Sequence, residues 1–315
     1  TPILQAIYGG ALAKPFKTFH NYLKQDMFLR IAPELYLKRL MVGGFDRVFE
    51  IAPCFRNESV DSTHNPEFVQ IELYEAYANY ERIMDITEKL VEAAAITVTG
   101  STDINYQGHK LSLKAPWKRM KMVDAIKHFG NVDIIGKTDD EIRKTAKKHG
   151  VKETGGRLGD VIEKLFSEVV EPKLMQPIFI THFPADISPL AKTFKGEKWA
   201  QRFEGYIAGV EMCNAFSELN NPIEQFVAFK QEEELRKQHK LKELEYMPMD
   251  KDYIRAMEYG MPPSGGLGIG LGRVFSILFD KPSIKEVLLF PFMAGIEDIQ
   301  TVAEMFPELI AKKDK

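Results

Sequence analysis

The chain has 315 residues, 44% of them hydrophobic and 28% charged, with a formal net charge of −3. That is enough apolar content for a substantial core, in one large unit or two domains, and the acidic balance argues against a chain-wide electrostatic footprint for nucleic acid. Two distant cysteines, Cys54 and Cys213, argue against a disulfide scaffold and suit a reducing, cytoplasmic setting; no apolar stretch reaches membrane-spanning length and no secretory signal opens the chain. The chain opens on Thr1-Pro2-Ile3-Leu4 rather than on methionine, which points to a trimmed boundary.

In chain order, Ala32-Pro33-Glu34 followed by Leu35, Leu37 and Leu40 and by Gly43-Gly44 predicts a helix with Pro33 at its first position and glycine past its end. Residues 48–58 and 68–74 alternate with period two and predict strands joined by a long polar loop over 59–66. An amphipathic helix follows, with Ile83, Ile86, Leu90 and Ala94 on its apolar face and Asp85, Glu88 and Glu92 away from it. Residues 101–200 read as an insertion, with a capping box at Thr138 and Glu141 and a second helix through Leu158, Ile162, Leu165, Phe166 and Val169. Ile207-Ala208-Gly209-Val210 predicts a tight turn between two strands, residues 222–245 a charged surface helix, and Gly265 to Gly272 a glycine-rich run leading into apolar residues 274–279. The irregular mix of strands and helices favours the α+β class, an antiparallel sheet backed by helices.

Three groups of residues carry candidate chemistry. In the second strand, Phe68, Gln70, Glu72 and Tyr74 share one face and Val69, Ile71 and Leu73 the other, so the aliphatic set is expected in the core and the polar set on a working face. Arg56 and Glu58 share a face of the preceding strand by the same parity. One polar strand face is usually only solvated, but two adjoining ones joined by a loop containing His64 favour a site. The glycine run closed by Arg273 allows close approach and suits a polyphosphate, although strand-to-helix packing explains glycines equally well. Glu204, Glu211 and Glu218 surround Asn214 and Phe216, and separated carboxylates can hold Mg²⁺ or a cationic substrate. Asn214, Phe216 and Glu218 agree in strand parity, whereas Glu211 requires a bulge or another environment.

The sequence resembles the class II lysyl-tRNA synthetases over nearly its whole length. Phe55-Arg56-Asn57-Glu58 with His64-Asn65-Pro66-Glu67-Phe68 is similar to their motif 2, Gly266 through Arg273 to motif 3, and Thr1-Pro2-Ile3-Leu4 to the tail of motif 1. Gly9-Gly10-Ala11, Arg30-Ile31-Ala32-Pro33-Glu34, Ser188-Pro189-Leu190-Ala191, Asn214-Ala215-Phe216-Ser217-Glu218 and Glu258-Tyr259-Gly260-Met261-Pro262 narrow the match to the lysyl branch. Gly272 departs from the pattern, where the family usually has an acidic residue.

The resemblance implies a single catalytic domain over 1–315 of the class II antiparallel-sheet type, without the family's N-terminal OB-type anticodon-binding domain. It implies an ATP-dependent ligase that makes lysyl-adenylate and passes L-lysine to tRNA, as a homodimer with no membrane association and with weak affinity for lysine tRNA. Arg56 would bridge the α-phosphate and the lysine carboxylate, Glu58 would read adenine, and Phe68 and Arg273 would sandwich it. His64 would contact the outer phosphates, and Glu204 and Glu211 would hold Mg²⁺. Gly10 and Glu72 would take the α-amino group and Asn214 the carboxylate, while Glu34, Tyr74 and Glu218 surround the ε-ammonium and Phe216 lines the stem. The competing readings are a relative that lysylates a protein such as an elongation factor, and a regulator that binds lysine or ATP without catalysis.

Overall fold

The computed structural model describes residues 1–152, 156–239 and 247–293. Strands β1 (Leu4–Gln5), β2 (Lys17–His20) and β3 (Gln25–Leu29) form a small antiparallel sheet in the order β1-β3-β2. Helix α1 (Glu34–Val42) follows, with Pro33 as N-cap rather than first helical residue. The Pro33 carbonyl accepts the Leu37 N–H at 3.1 Å, so the proline is already half inside the helix.

Strands β4 (Arg47–Phe55) and β5 (Glu67–Ala76) pair antiparallel from Arg47 opposite Glu75 to Phe55 opposite Glu67. The first strand therefore stops short of residue 58, and the expectation that Arg56 and Glu58 share its face is corrected. Beyond Phe55 the backbone turns to other partners: Arg56 N–H donates to Pro66 O and Asn57 N–H to Lys14 O, at 2.9 and 2.7 Å. Both side chains thus sit on a loop pinned between the N-terminal segment and the strand that follows.

Helix α2 (Tyr80–Thr99) is capped by the Asn79 side chain and ended by Gly100 in the left-handed conformation. Glu88, expected to face away from the core, is buried. Its Oε2 accepts the Trp117 N–H at 2.9 Å, a partner 29 residues downstream. The hairpin β6 (Asp103–Tyr106) and β7 (His109–Ser112) precedes β8 (Lys118–Lys121), α3 (Met122–His128), α4 (Asp139–Lys148), α5 (Leu158–Val169) and β9 (Ile178–Pro184). The Thr138–Glu141 capping box is present at the start of α4. Strands β8 and β9 belong to the main sheet, so residues 101–200 are not wholly outside it. Strands β10 (Trp199–Ile207) and β11 (Val210–Ser217) are joined by Ala208 and Gly209, both with positive φ (54° and 75°), the geometry of a two-residue hairpin turn. Helix α6 (Pro222–His239), α7 (Lys251–Glu258), β12 (Ser264–Gly270) and α8 (Leu271–Leu278) complete the described chain. The expected end of the charged helix at 240–245 and the tail beyond 294 lie outside the described residues.

The main sheet has seven strands in the order β4-β5-β12-β11-β10-β9-β8, antiparallel except for the parallel pair β8 and β9. Alternation sorts its side chains. Phe203, Cys213, Ala215, Leu267 and Ile269 point to one face, where Ile83 and Val91 of α2 and Ile277 of α8 close the principal core. Arg202, Glu204, Asn214, Phe216, Glu72 and Tyr74 point to the other. The expectation that Val69, Ile71 and Leu73 all enter the core is corrected in part: Leu73 packs against it, but Val69 is 37% exposed. The β4–β5 edge runs past its helical cover, which also leaves Phe49 at 72% and Ile51 at 57% exposure on that face.

Candidate active site

The opposite face of the sheet, covered by helices only toward its two ends, forms the floor of a cavity of about 470 Å³. Two rows of cross-strand neighbours run across it. One is Glu72, Gly268, Asn214 and Glu204; the other is Tyr74, Gly266, Phe216 and Arg202. A glycine sits inside each row, and at Gly266 the need is steric. A Cβ there would lie 2.1 Å from Glu218 Oε1 and 2.4 Å from Tyr74 Cε1. We expect Gly266→Ala to push both groups off station, at a cost of about 1–3 kcal/mol for overpacking. Ligand titration and thermal melting check this: in the lysine pocket that the resemblance implies, lysine affinity should fall roughly 5- to 100-fold, by conversion of that cost, while ATP affinity holds. Unchanged lysine affinity would show that the floor tolerates a methyl group.

Every residue singled out from the sequence lines this one cavity: Gly10, Glu34, Arg56, Glu58, His64, Phe68, Glu72, Tyr74, Glu204, Glu211, Asn214, Phe216, Glu218 and Arg273. They arrive from separate elements. Glu34 is the first residue of α1, Phe68, Glu72 and Tyr74 come from β5, and Arg273 from the first turn of α8. Gly10, at φ 89°, packs its backbone against Glu34, where a Cβ would meet Glu34 Cβ at 2.8 Å. The parity problem of Glu211 has a physical answer in the register: Gly205 opposes Cys213 but Tyr206 opposes Glu211, so Met212 is the extra residue of a β-bulge.

The deep end is acidic. Glu34, Glu72 and Glu218 are all buried. Glu72 accepts from Gln70 Nε2 at 2.6 Å and from the Tyr74 hydroxyl at 2.9 Å. Burial, reinforced by the neighbouring Glu34 charge, pushes the Glu72 carboxyl well above the usual carboxylate range. Glu218 Oε2 meets the Lys38 ammonium, but Oε1 has no hydrogen-bond partner among the described residues, and burial pushes the carboxyl up to about 8. Buried polar atoms are nearly always satisfied, so such an orphan facing a cavity points to a missing cationic or hydrogen-bonding ligand.

Toward the mouth the character changes to arginines and a histidine, side chains suited to anionic groups. The Arg56 guanidinium lies 5.0 Å from the centroid of the Phe68 ring, and its Nε is buried without a hydrogen-bond partner among the described residues. Arg273 donates from Nη1 to the Glu211 carbonyl at 2.8 Å and carboxylate at 3.2 Å, and its Nη2 lies 3.1 Å from His64 Nε2. An arginine has only N–H to offer, so Nε2 accepts and the His64 proton sits on Nδ1, 2.9 Å from Asp61. Burial opposes ionisation of Asp61, but the Thr63 backbone N–H and the His64 and Thr63 side chains together outweigh it and hold its carboxyl down at about 2.

Glu204 accepts from Arg202 Nη2 at 2.6 Å and from the Tyr206 hydroxyl at 2.5 Å. Burial and the adjacent Glu211 nevertheless push Glu204 up to about 8, a state that a divalent cation would reverse. No group of three or more His, Cys, Asp or Glu with metal-binding geometry stands among the described residues. Glu204 and Glu211 are hard oxygen donors on the cavity wall, the set that suits Mg²⁺ carried in on nucleotide phosphates.

Sequence reasoning missed three participants. Arg202 ties Glu204 to Asn214, donating from Nε to Asn214 Oδ1 at 3.0 Å; its spacing of two from Glu204 on a strand was the available signal. Asp61 orients His64. Lys38, fully buried, meets both Glu34 and Glu218, and its spacing of four from Glu34 on one helix was legible as a pair.

The profile of the family described as tRNA synthetases class II (D, K and N) matches residues 1–294. The chain is 48% identical over 296 residues to the lysine–tRNA ligase 2 of Methanosarcina mazei, covering 93% of this chain and 57% of that protein. It is 50% identical over 301 residues to the lysine–tRNA ligase of Clostridium novyi, covering 93% of this chain and 58% of the relative. To the lysine–tRNA ligase of Saccharolobus solfataricus it is 46% identical over 298 residues, with 94% and 60% covered. The chain thus spans about three fifths of the length of these curated relatives.

Proposed function

From the premise that this chain belongs to the class II tRNA synthetase family, we propose that it activates L-lysine with ATP and transfers it to lysine tRNA. The observation that carries the reading is the cavity's division of labour: buried carboxylates with an orphaned oxygen at the deep end, and arginines with a histidine at the mouth. An ε-ammonium loses several kcal/mol of hydration on burial, and Glu34, Glu218 and the Tyr74 phenol return charge and hydrogen bonds. A neutral amino acid would leave those carboxylates unpaired. Glu72 and Gly10 take the α-amino group, Asn214 the carboxylate, and Phe216 packs along the aliphatic stem.

No general base is needed, because the lysine carboxylate is ionised at neutral pH. Its oxygen attacks the α-phosphorus as the bond to the bridging oxygen breaks, and pyrophosphate leaves. A hydroxyl of the terminal ribose of tRNA then attacks the carbonyl carbon, and AMP leaves. What opposes the first step is the meeting of two anions and charge growing at phosphorus, which Arg56 relieves by bridging them. Glu58 and Phe68 hold adenine, with Arg273 on its other face and His64 on the outer phosphates. Mg²⁺, held by Glu204 and Glu211 with the nucleotide, would supply further neutralisation of the phosphate charge.

The chain acts as a homodimer in this reading, a second copy covering the exposed apolar row of Phe49 and Ile51 on β4 and Val69 on β5. With a net charge of −3, affinity for tRNA rests on local phosphate contacts. Transfer of labelled lysine should therefore go to tRNA rather than to protein, with an apparent affinity for tRNA that falls about tenfold or more between 50 and 200 mM salt. Labelling of a protein acceptor in place of tRNA would replace this reading by that of a protein-modifying enzyme.

A further inference from the structure

Lys38 is buried on α1, is absent from the cavity wall, and still reaches the two carboxylates that close the cavity's deep end. Its Nζ lies 2.5 Å from Glu34 Oε1 and in ion-pair contact with Glu218 Oε2. The same ammonium stands 5.1 Å from the Phe216 ring centroid and 5.8 Å from that of Tyr74. We propose that Lys38 is the positioning residue of the ammonium pocket: it fastens one oxygen of Glu34 and one of Glu218 from below, presents their other oxygens to the cavity, and leaves a vacancy for a single positive charge.

The inference rests on the lysine-binding reading and deepens it. Two buried carboxylates facing each other with no cation would repel, and one would take up a proton or swing away. Lys38 removes that instability without occupying the space a ligand needs. Although burial opposes its charge, Glu218 and Glu34 hold its ammonium ionised well beyond the ordinary lysine range. With Glu72 assigned to the α-amino group, the count at the side-chain end stands at two anions, Glu34 and Glu218, against one resident cation, so one monovalent ammonium completes that end. Shape follows as well: Glu218 Oε1 has no partner among the described residues, and Gly266 leaves the room in front of it. Selectivity for a cationic side chain therefore comes from a charge deficit of one, set by a residue that never touches the substrate.

Calorimetric titration of lysine into the full chain, in five forms, tests the count. The wild type has the deficit of one. Glu34→Gln leaves Lys38 and Glu218 already balanced, and lysine affinity should fall roughly 10- to 100-fold. Adding Lys38→Met to Glu34→Gln restores the deficit, so the double variant should recover at least several-fold over Glu34→Gln alone. Glu218→Gln with and without Lys38→Met repeats the comparison on the other carboxylate. A merely structural lysine would make each double variant bind as weakly as its single parent or worse, and that result overturns the proposal. So would failure of both double variants to give a cooperative thermal transition, since it would assign Lys38 to folding. If the wild type itself binds lysine no better than norleucine, the lysine-binding reading fails; if it binds lysine selectively and no rescue occurs, only the role of Lys38 fails.

Discussion

Arg56→Ala is expected to lower the rate of lysine-dependent ATP–pyrophosphate exchange by about 10³-fold, on the order of 4 kcal/mol of transition-state stabilisation. The guanidinium is poised on the Phe68 ring at the cavity mouth, with its Nε buried and without a partner among the described residues. Among the described residues it contributes no ion pair that the fold depends on, so the melting temperature should change little. The loss should fall on the exchange rate more than on the KM for lysine, because bridging two anions matters most as charge builds at phosphorus. Exchange at a near-normal rate in a folded variant would remove Arg56 from the chemistry.

Glu218→Gln carries the second large effect. The substitution keeps shape and hydrogen-bonding capacity while deleting one charge from a fully desolvated site. A charge-assisted hydrogen bond of that kind is worth about 1.5–3 kcal/mol, so the KM for lysine should rise roughly 10- to 100-fold. ATP should hardly notice, since Glu218 lies at the opposite end of the cavity from Arg273 and His64. An unchanged lysine KM would sink the pocket assignment, and equal losses for lysine and ATP would indicate damage to the fold instead.

Much of this site was legible in the sequence because strand alternation is a local property. Glu72 and Tyr74 on β5, with Asn214 and Phe216 on β11, emerge on the cavity face that parity assigns them. The turn at Ala208-Gly209 and the capping box at Thr138 and Glu141 are local too. What the sequence withheld depends on distant partners. Strand β4 ends at Phe55 because Pro66 and Lys14 claim the next two backbone N–H groups. Glu88 turns inward to serve a backbone N–H at Trp117. Glu211 reaches the cavity through a bulge that period-two reasoning allows but does not locate. Val69 stays 37% exposed because it lies near the start of β5, beyond the core that Leu73 packs against. Lys38 illustrates the same limit most sharply. Its pairing with Glu34 is a local helix contact, but only the fold brings Glu218, 180 positions further along the chain, to the same ammonium.

In the proposed reading, three buried carboxylates and two arginines select lysine and couple it to ATP. ATP–pyrophosphate exchange measured with each of the common amino acids in turn tests it most directly. Lysine alone should drive exchange, with neutral residues such as methionine and leucine slower by several orders of magnitude, since each would strand buried charge. Exchange driven equally well by a neutral amino acid, or ATP binding with no exchange for any of them, would contradict the account.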